Sequence, residues 1–203
     1  AIVLDTGIRG RHVFRTLFFL PYVLNGVAVA LLFNFIFDYN ASPVNALLRW
    51  LELDPIRFIS DKYTVNISLS YVVIWRNLGF YLVLFLAALQ SIPQELFDSA
   101  KIDGAGFLDV VGYIIIPNTK RIVEVSVFLS TATALQVFYE PFLITRGGPA
   151  GRSHTFVSKI IDVAFAFSNF GKASAMGVVL LILLIIATSL QRRLLKGKSG
   201  HGI

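Results

Sequence analysis

Long apolar runs recur along the chain, separated by polar stretches. Four segments, 13–37, 65–90, 122–144 and 173–195, stay mostly apolar over the roughly 20 residues needed to cross about 30 Å of hydrocarbon. The last is the cleanest, with VVLLILLIIA at its centre; the others carry polar or helix-breaking residues, among them Pro21, Arg76, Gln136 and Glu140. Backbone groups in lipid must pair within their own segment, so each run predicts a helix. The pattern predicts an all-α transmembrane helical bundle, one domain over 1–203 with four full spans. The opening Ala1-Ile2-Val3-Leu4 reads as the end of a preceding apolar segment, which makes the chain N-terminally truncated.

The stretches between the runs have patterns of their own. In 38–64, Ser42 is placed to cap a helix over 43–53, with Pro43 at the permitted first position and Leu47, Leu48 and Leu51 on one face. In 145–172, a helix over 155–167 gathers Phe156, Ile160, Ala164 and Phe167. Each reads either as a packed connector or as a surface for an external partner. In 91–121, Pro93 opens a helix over 94–101, Asp103-Gly104-Ala105-Gly106 breaks it, and 107–115 resumes with apolar Leu108, Val111 and Ile115 until Pro117 limits it. A partly apolar hairpin of this size is more than a connector. It has the character of something that inserts into a partner.

Composition sharpens the membrane reading. Apolar residues fill 56% of the chain and charged residues only 15%, against about a quarter in a soluble domain. The net charge of +6 sits at the ends of apolar runs, with Arg9, Arg11 and Arg15 at one end and Arg192, Arg193, Lys196 and Lys198 at the other. That distribution puts both ends and the 91–121 loop on the cytoplasmic side, and it argues against nucleic acid as a partner. Cysteine is absent, which excludes disulfides and thiolate chemistry. Gly197-Lys198-Ser199 is not a phosphate-binding loop, because Arg192 occupies the required first glycine position. His12, His154 and His201 have no metal-ligand spacing, so neither a metal nor a cofactor is expected in this chain and it reads as non-catalytic.

Polar residues within the runs are the candidates for a transport path, since facing them to lipid costs kcal/mol per group. On a continuous helix Thr133, Gln136 and Glu140 share one stripe with Tyr139 beside it, and Pro141 kinks the chain. Arg76 lies between Trp75 and Asn77, with Tyr81 one turn beyond Asn77. Arg76 and Gln136 fall at a similar depth, roughly 10–15 Å below the outer face. Aromatic faces with amide and charged groups suit a polyhydroxylated ligand. The alternative is an Arg76–Glu140 ion pair between helices that touches no solute.

The 91–121 loop also carries a resemblance. Asp98-Ser99-Ala100, three residues, Gly104, nine residues and Ile114-Ile115-Ile116-Pro117 keep the spacing of the EAA loop, Glu-Ala-Ala…Gly…Ile-x-Leu-Pro, with mild substitutions. The stretches 14–33, 86–96, 100–106, 135–149 and 169–176 are similar to the sugar branch of the same family, which includes maltose-type and glycerol-3-phosphate-type members; Asn25 departs from a frequent proline. The chain thus resembles the membrane-spanning permease subunits of binding-protein-dependent ABC importers. The resemblance implies a type I importer fold of about six spans in a bacterial or archaeal inner membrane, carrying a sugar or related polyol by alternating access. It implies a second permease subunit, two cytoplasmic ATPase subunits that hold ATP and Mg, and an extracytoplasmic solute-binding protein. Asp98, Ser99, Ala100, Asp103, Gly104, Ile114, Ile116 and Pro117 would form the ATPase-coupling loop, and the 135–145 stretch, Gln136 included, would contribute ligand contacts. The competing readings are an importer of a non-sugar solute, a non-transporting membrane scaffold, and a membrane-embedded enzyme, which would lack a nucleophile or metal set.

Overall fold

The computed structural model describes residues 1–2 and 10–196, and among these the regular structure is entirely helical. Arg9, Lys198 and the Gly197-Lys198-Ser199 run lie outside the described residues. Three helical stretches are long and apolar enough to cross a membrane: Val65–Gln90, Phe107–Thr145 and Phe170–Leu194. A fourth crossing forms if Arg11–Val23 and Gly26–Ile36, separated by a break, are taken as one. Contacts divide the chain into two units, one of Ala1–Val23 with Asn77–Leu129, the other of Leu24–Arg76 with the chain from Ser130 onward.

In the first unit, the backbone of α1 (Arg11–Val23) packs directly against Gly79 of α4 (Val65–Gln90). A Cβ on Gly79 would lie 2.0 Å from the Phe18 carbonyl oxygen and 2.6 Å from the Phe19 Cα, so only glycine fits there. Tyr22 stacks on Phe80 beside this contact, ring centroids 5.1 Å apart. The loop that follows holds α5 (Gln94–Ile102), a turn, α6 (Phe107–Asp109), a π-helical turn (Val110–Ile115) and α7 (Ile116–Leu135).

The turn after α5 closes as a Schellman cap. Gly104 N donates to Lys101 O and Ala105 N to Ala100 O, with Gly104 at φ +73°. Pro117 does not end the second helix as expected. In an α-helix it would leave the carbonyl four residues back unpaired and crowded. Here the preceding turn widens, Ile116 N donating to Val111 O, and the chain continues into α7. The hairpin is anchored through Ile92, Phe97, Ile114 and Ile115. Leu108 does not join Val111 and Ile115; it stands 80% exposed.

In the second unit, α2 (Gly26–Ile36) buries Val29, Ala30 and Phe33 against Val65, Leu69 and Val72 of α4 and against Ile144. Ser42 caps α3 (Pro43–Trp50) as expected, accepting from Val44 N and Asn45 N. The expected leucine face is not what α3 buries: Leu47 and Leu51 are exposed and Asn45 is fully buried. The physical reason is the irregular loop around it, whose backbone groups need partners. Asn45 supplies them, accepting from Ile56 N at 2.9 Å and donating to Ile56 O at 3.0 Å and Tyr39 O at 3.2 Å. The second loop helix forms over the expected residues as α8 (Phe156–Ile161), capped by Thr155, and a π-helical turn (Asp162–Ala166), with Phe167 69% exposed instead of packed. Last comes α9 (Phe170–Lys196).

Candidate functional site

Two of the four expected spans are broken, and both breaks have identifiable causes. In 13–37 the helix stops after Val23, and Asn25 restarts it by accepting from Val27 N at 2.8 Å, an N-cap within an apolar run. In 122–144 the helix ends at Leu135 and resumes as a π-helical turn over Glu140–Thr145. Pro141 has no N–H, so the Val137 carbonyl loses its helical partner. The Thr155 hydroxyl takes that carbonyl instead, at 2.7 Å. Gln136 completes the frayed end, its side-chain amide donating to Ala132 O at 3.1 Å while its own N–H turns to Thr133 O.

The break dissolves the expected stripe. Thr133 and Gln136 lie exposed at the end of α7, while Tyr139 and Glu140 belong to the next turn. Tyr139 and Glu140 are the residues brought to Arg76. Arg76 Nη1 lies 3.4 Å from Glu140 Oε1, and the guanidinium carbon sits 5.4 Å from the centre of the Tyr139 ring. The Glu140 side chain is 5% exposed and that of Arg76 23%, while Tyr139 keeps an open edge. Arg76 gives this buried carboxylate an oppositely charged partner. Asn77 and Tyr81 follow Arg76 on α4, half-buried, with the Tyr81 ring edge-on to Phe80.

The first residue of α2 completes the cluster. A Cβ on Gly26 would lie 2.8 Å from the Tyr139 ring and 3.1 Å from Arg76 Nη1, so the absence of a side chain is what lets the ring and the guanidinium close over the helix start. Farther along α2, Asn34 donates to Ile144 O at 2.9 Å and ties the helix to the end of the same π-helical turn. Sequence reasoning missed Gly26, Asn34 and Thr155. The one available signal was Asn34, a lone amide in the run ALLFNFIF.

A larger cavity in the same unit, about 660 Å³, is lined by Phe33, Phe37, Phe58, Tyr71, Trp75 and other apolar groups. Its Thr64 and Ser68 hydroxyls are spent on the carbonyls of Arg57 and Phe58, which leaves the Tyr71 phenol and the Trp75 indole as its remaining polar side-chain groups, neither of them charged.

In the loop, Asp98 is exposed and accepts from Lys101 Nζ at 3.2 Å; Ser99 accepts Asp103 N through its carbonyl at 3.0 Å. Ala100, Asp103 and Gly104 are the Schellman turn itself. Ile114 faces the hairpin core, whereas Ile116 and Pro117 are exposed.

Comparison with known proteins places these features. The probable ABC transporter permease protein YurN of Bacillus subtilis is 34% identical over 185 residues, 90% of this chain and 63% of that protein. The diacetylchitobiose uptake system permease protein NgcF of Streptomyces coelicolor is 35% identical over 188 residues, 91% of this chain and 53% of that protein. The chain therefore spans between half and two thirds of the length of these relatives. Among solved structures, a bacterial alginate ABC transporter in complex with an alginate-bound periplasmic protein has a chain matching 96% of this one at TM-score 0.82 and 24% identity, covering 70% of that chain. The fold is that of an ABC importer permease, an all-α bundle of membrane-spanning helices. Residues 2–199 match the family model, and the chain belongs to the family of binding-protein-dependent transport system inner membrane components.

Proposed function

We propose that this chain forms part of the translocation path of an ATP-driven importer for a sugar or related polyol. The observation that carries the reading is the Arg76–Tyr139–Glu140 cluster, an ion pair and an aromatic ring held where two apolar segments break. Hydrogen-bonding groups beside an aromatic ring are what hydroxyl-rich solutes require. The relatives' names support the class: they include permeases for diacetylchitobiose, for trehalose and maltose in Thermococcus litoralis, and for lactose in Rhizobium radiobacter.

The hairpin over 91–121 is the proposed ATPase contact. It carries Ile102, Phe107, Leu108 and Tyr113 at 65–87% exposure, an apolar surface that water does not favour and a partner groove would. ATP and Mg belong to that partner, a second permease subunit pairs with this chain, and an extracytoplasmic solute-binding protein delivers the solute. With the hairpin cytoplasmic, the loops 38–64 and 145–172 face outward. Purification of the permease with its ATPase and binding protein, followed by ATP-dependent sugar uptake into vesicles, tests the reading. Arg76→Ala should abolish uptake while the ATPase remains bound. Wild-type uptake in that variant rejects the cluster as part of the path.

A further inference from the structure

Charge balance at the cluster bears on which solutes it can hold. Within the membrane-crossing parts of the second unit, α2 has no charged residue, 65–76 has only Arg76, 130–145 has only Glu140, and 173–190 has none. The two charges are paired at 3.4 Å, so this region presents no net charge. The contacts use one guanidinium nitrogen and one carboxylate oxygen. The remaining guanidinium nitrogens are donors and the second carboxylate oxygen is an acceptor, with the guanidinium lying over the Tyr139 ring.

We infer that the site takes an uncharged, hydroxyl-bearing glycan and rejects its uronic-acid counterpart, with Glu140 as the specificity-determining residue. The inference rests on the translocation reading above and goes one step past it. A sugar hydroxyl accepts from Arg76 and donates to Glu140 in the same geometry, which matches both members of the pair. A uronate carboxylate only accepts. It must compete with Glu140 for Arg76 and meets Glu140 as a like charge in a low-dielectric setting. The bacterial ABC transporter whose fold it shares imports the acidic polysaccharide alginate, so on this inference the two differ in the charge of their cargo.

Removing the negative charge should reverse the preference. Glu140→Gln leaves the guanidinium uncompensated and favours uronates. Arg76→Gln combined with Glu140→Gln is again neutral and should return to uncharged sugars, since burying an anion beside no cation is costly. Preference that follows net charge through both variants is not something a merely structural role would produce.

The experiment uses the permease–ATPase complex in lipid nanodiscs without its binding protein, so that only the membrane site selects. Saturation-transfer NMR is recorded with three matched pairs: cellotriose and triglucuronate, mannotriose and trimannuronate, galactotriose and trigalacturonate. At least one neutral trisaccharide should bind, lose its signal in Arg76→Ala, and bind about tenfold or more tighter than its uronate. Glu140→Gln should shift that ratio toward the uronate by about tenfold, and the double variant should shift it back. A uronate that binds wild type as well as its neutral partner overturns the inference, as does a ratio unmoved in the double variant relative to Glu140→Gln. Where Glu140→Gln fails to assemble, the double variant decides alone: a uronate preference there overturns the inference and a neutral preference supports it. Binding by none of the six, or binding indifferent to Arg76→Ala, instead rejects the cluster as the solute path.

Discussion

The loop hairpin and the Arg76–Glu140 cluster invert the ordinary distribution of side chains in opposite ways. In the hairpin, Ile102, Leu108 and Tyr113 stand more than three-quarters exposed. In the cluster, a glutamate side chain is 5% exposed and an arginine 23%. Each arrangement is costly for an isolated chain, and each names a different missing interaction. Exposed apolar groups gain by leaving water, so the hairpin gains by meeting a protein surface. A buried ion pair gains little from packing, because desolvation offsets most of its Coulomb energy. Under the proposed function the pair instead serves a polar solute. The two regions thus divide the proposed work, one binding the motor and the other the cargo.

Separating the pair is the strongest way to break this comparison. Glu140→Ala strands Arg76 without a counter-charge, and the loss should be about 3 kcal/mol, the lower end for a buried pair because Arg76 retains some exposure. Denaturant unfolding of the purified protein in detergent measures it. A loss under about 0.5 kcal/mol, within the range of ordinary surface substitutions, would mean that solvent already compensates both charges.

A smaller effect should follow from crowding the cluster without touching its charges. Gly26→Ala puts a Cβ 2.8 Å from the Tyr139 ring and 3.1 Å from Arg76. Overpacking of this kind costs about 1–3 kcal/mol. Uptake should fall with it, since the ring and the guanidinium must move apart. Unchanged stability and uptake would show that Tyr139 is free to swing away and is no fixed platform.

The two regions also differed in how far they could be read from the residues. The hairpin was legible because its devices are local: a proline start, a Gly104 turn and a spacing that needs no long-range contact. The second span coincides with the expected 65–90, since α4 has no proline or break to offset its apolar run. The cluster was half legible. Arg76 and Glu140 stood out as charges in apolar runs, but the stripe of Thr133, Gln136 and Glu140 assumed a continuous helix. Pro141 undermines that assumption only because Thr155 is there to take the Val137 carbonyl, a contact across 18 residues that no local pattern displays. Asn25 and Gly26 likewise look like ordinary span residues until the helix restarts at them. Pro117 erred in the other direction, since a widened turn let the helix pass through.

The hairpin should respond differently from the cluster. Gly104 has φ +73° with open space around its Cβ position, so Gly104→Val strains only the backbone, by roughly 1–2 kcal/mol. Leu108→Glu should change stability by less than about 0.5 kcal/mol, since the side chain touches little. Both variants should lose the ATPase during copurification. Saturation-transfer signals from neutral trisaccharides should stay at wild-type strength in both. Retention of the ATPase by Leu108→Glu would remove the exposed face as its docking surface.

The smallest expected effect compares two carboxylates with opposite surroundings. Glu140 is buried against a cation, whereas Asp38 lies half-buried just beyond α2 and is held by backbone N–H groups. Asp38 Oδ1 accepts from Ala41 N at 2.7 Å and Asn40 N at 2.8 Å. These bonds, the Ala41 one foremost, favour the ionised form and hold the carboxyl below its ordinary value. Because the folded value lies below the unfolded one, the ionised group adds stability above an unfolded pKa of about 3.9. That stability is lost as pH falls through the lower folded value. Unfolding free energy measured from pH 6 down to pH 2 should therefore decline less steeply in Asp38→Asn than in wild type, with the curves differing only below about pH 5. Parallel curves would show that the turn contributes equally with either protonation state of Asp38.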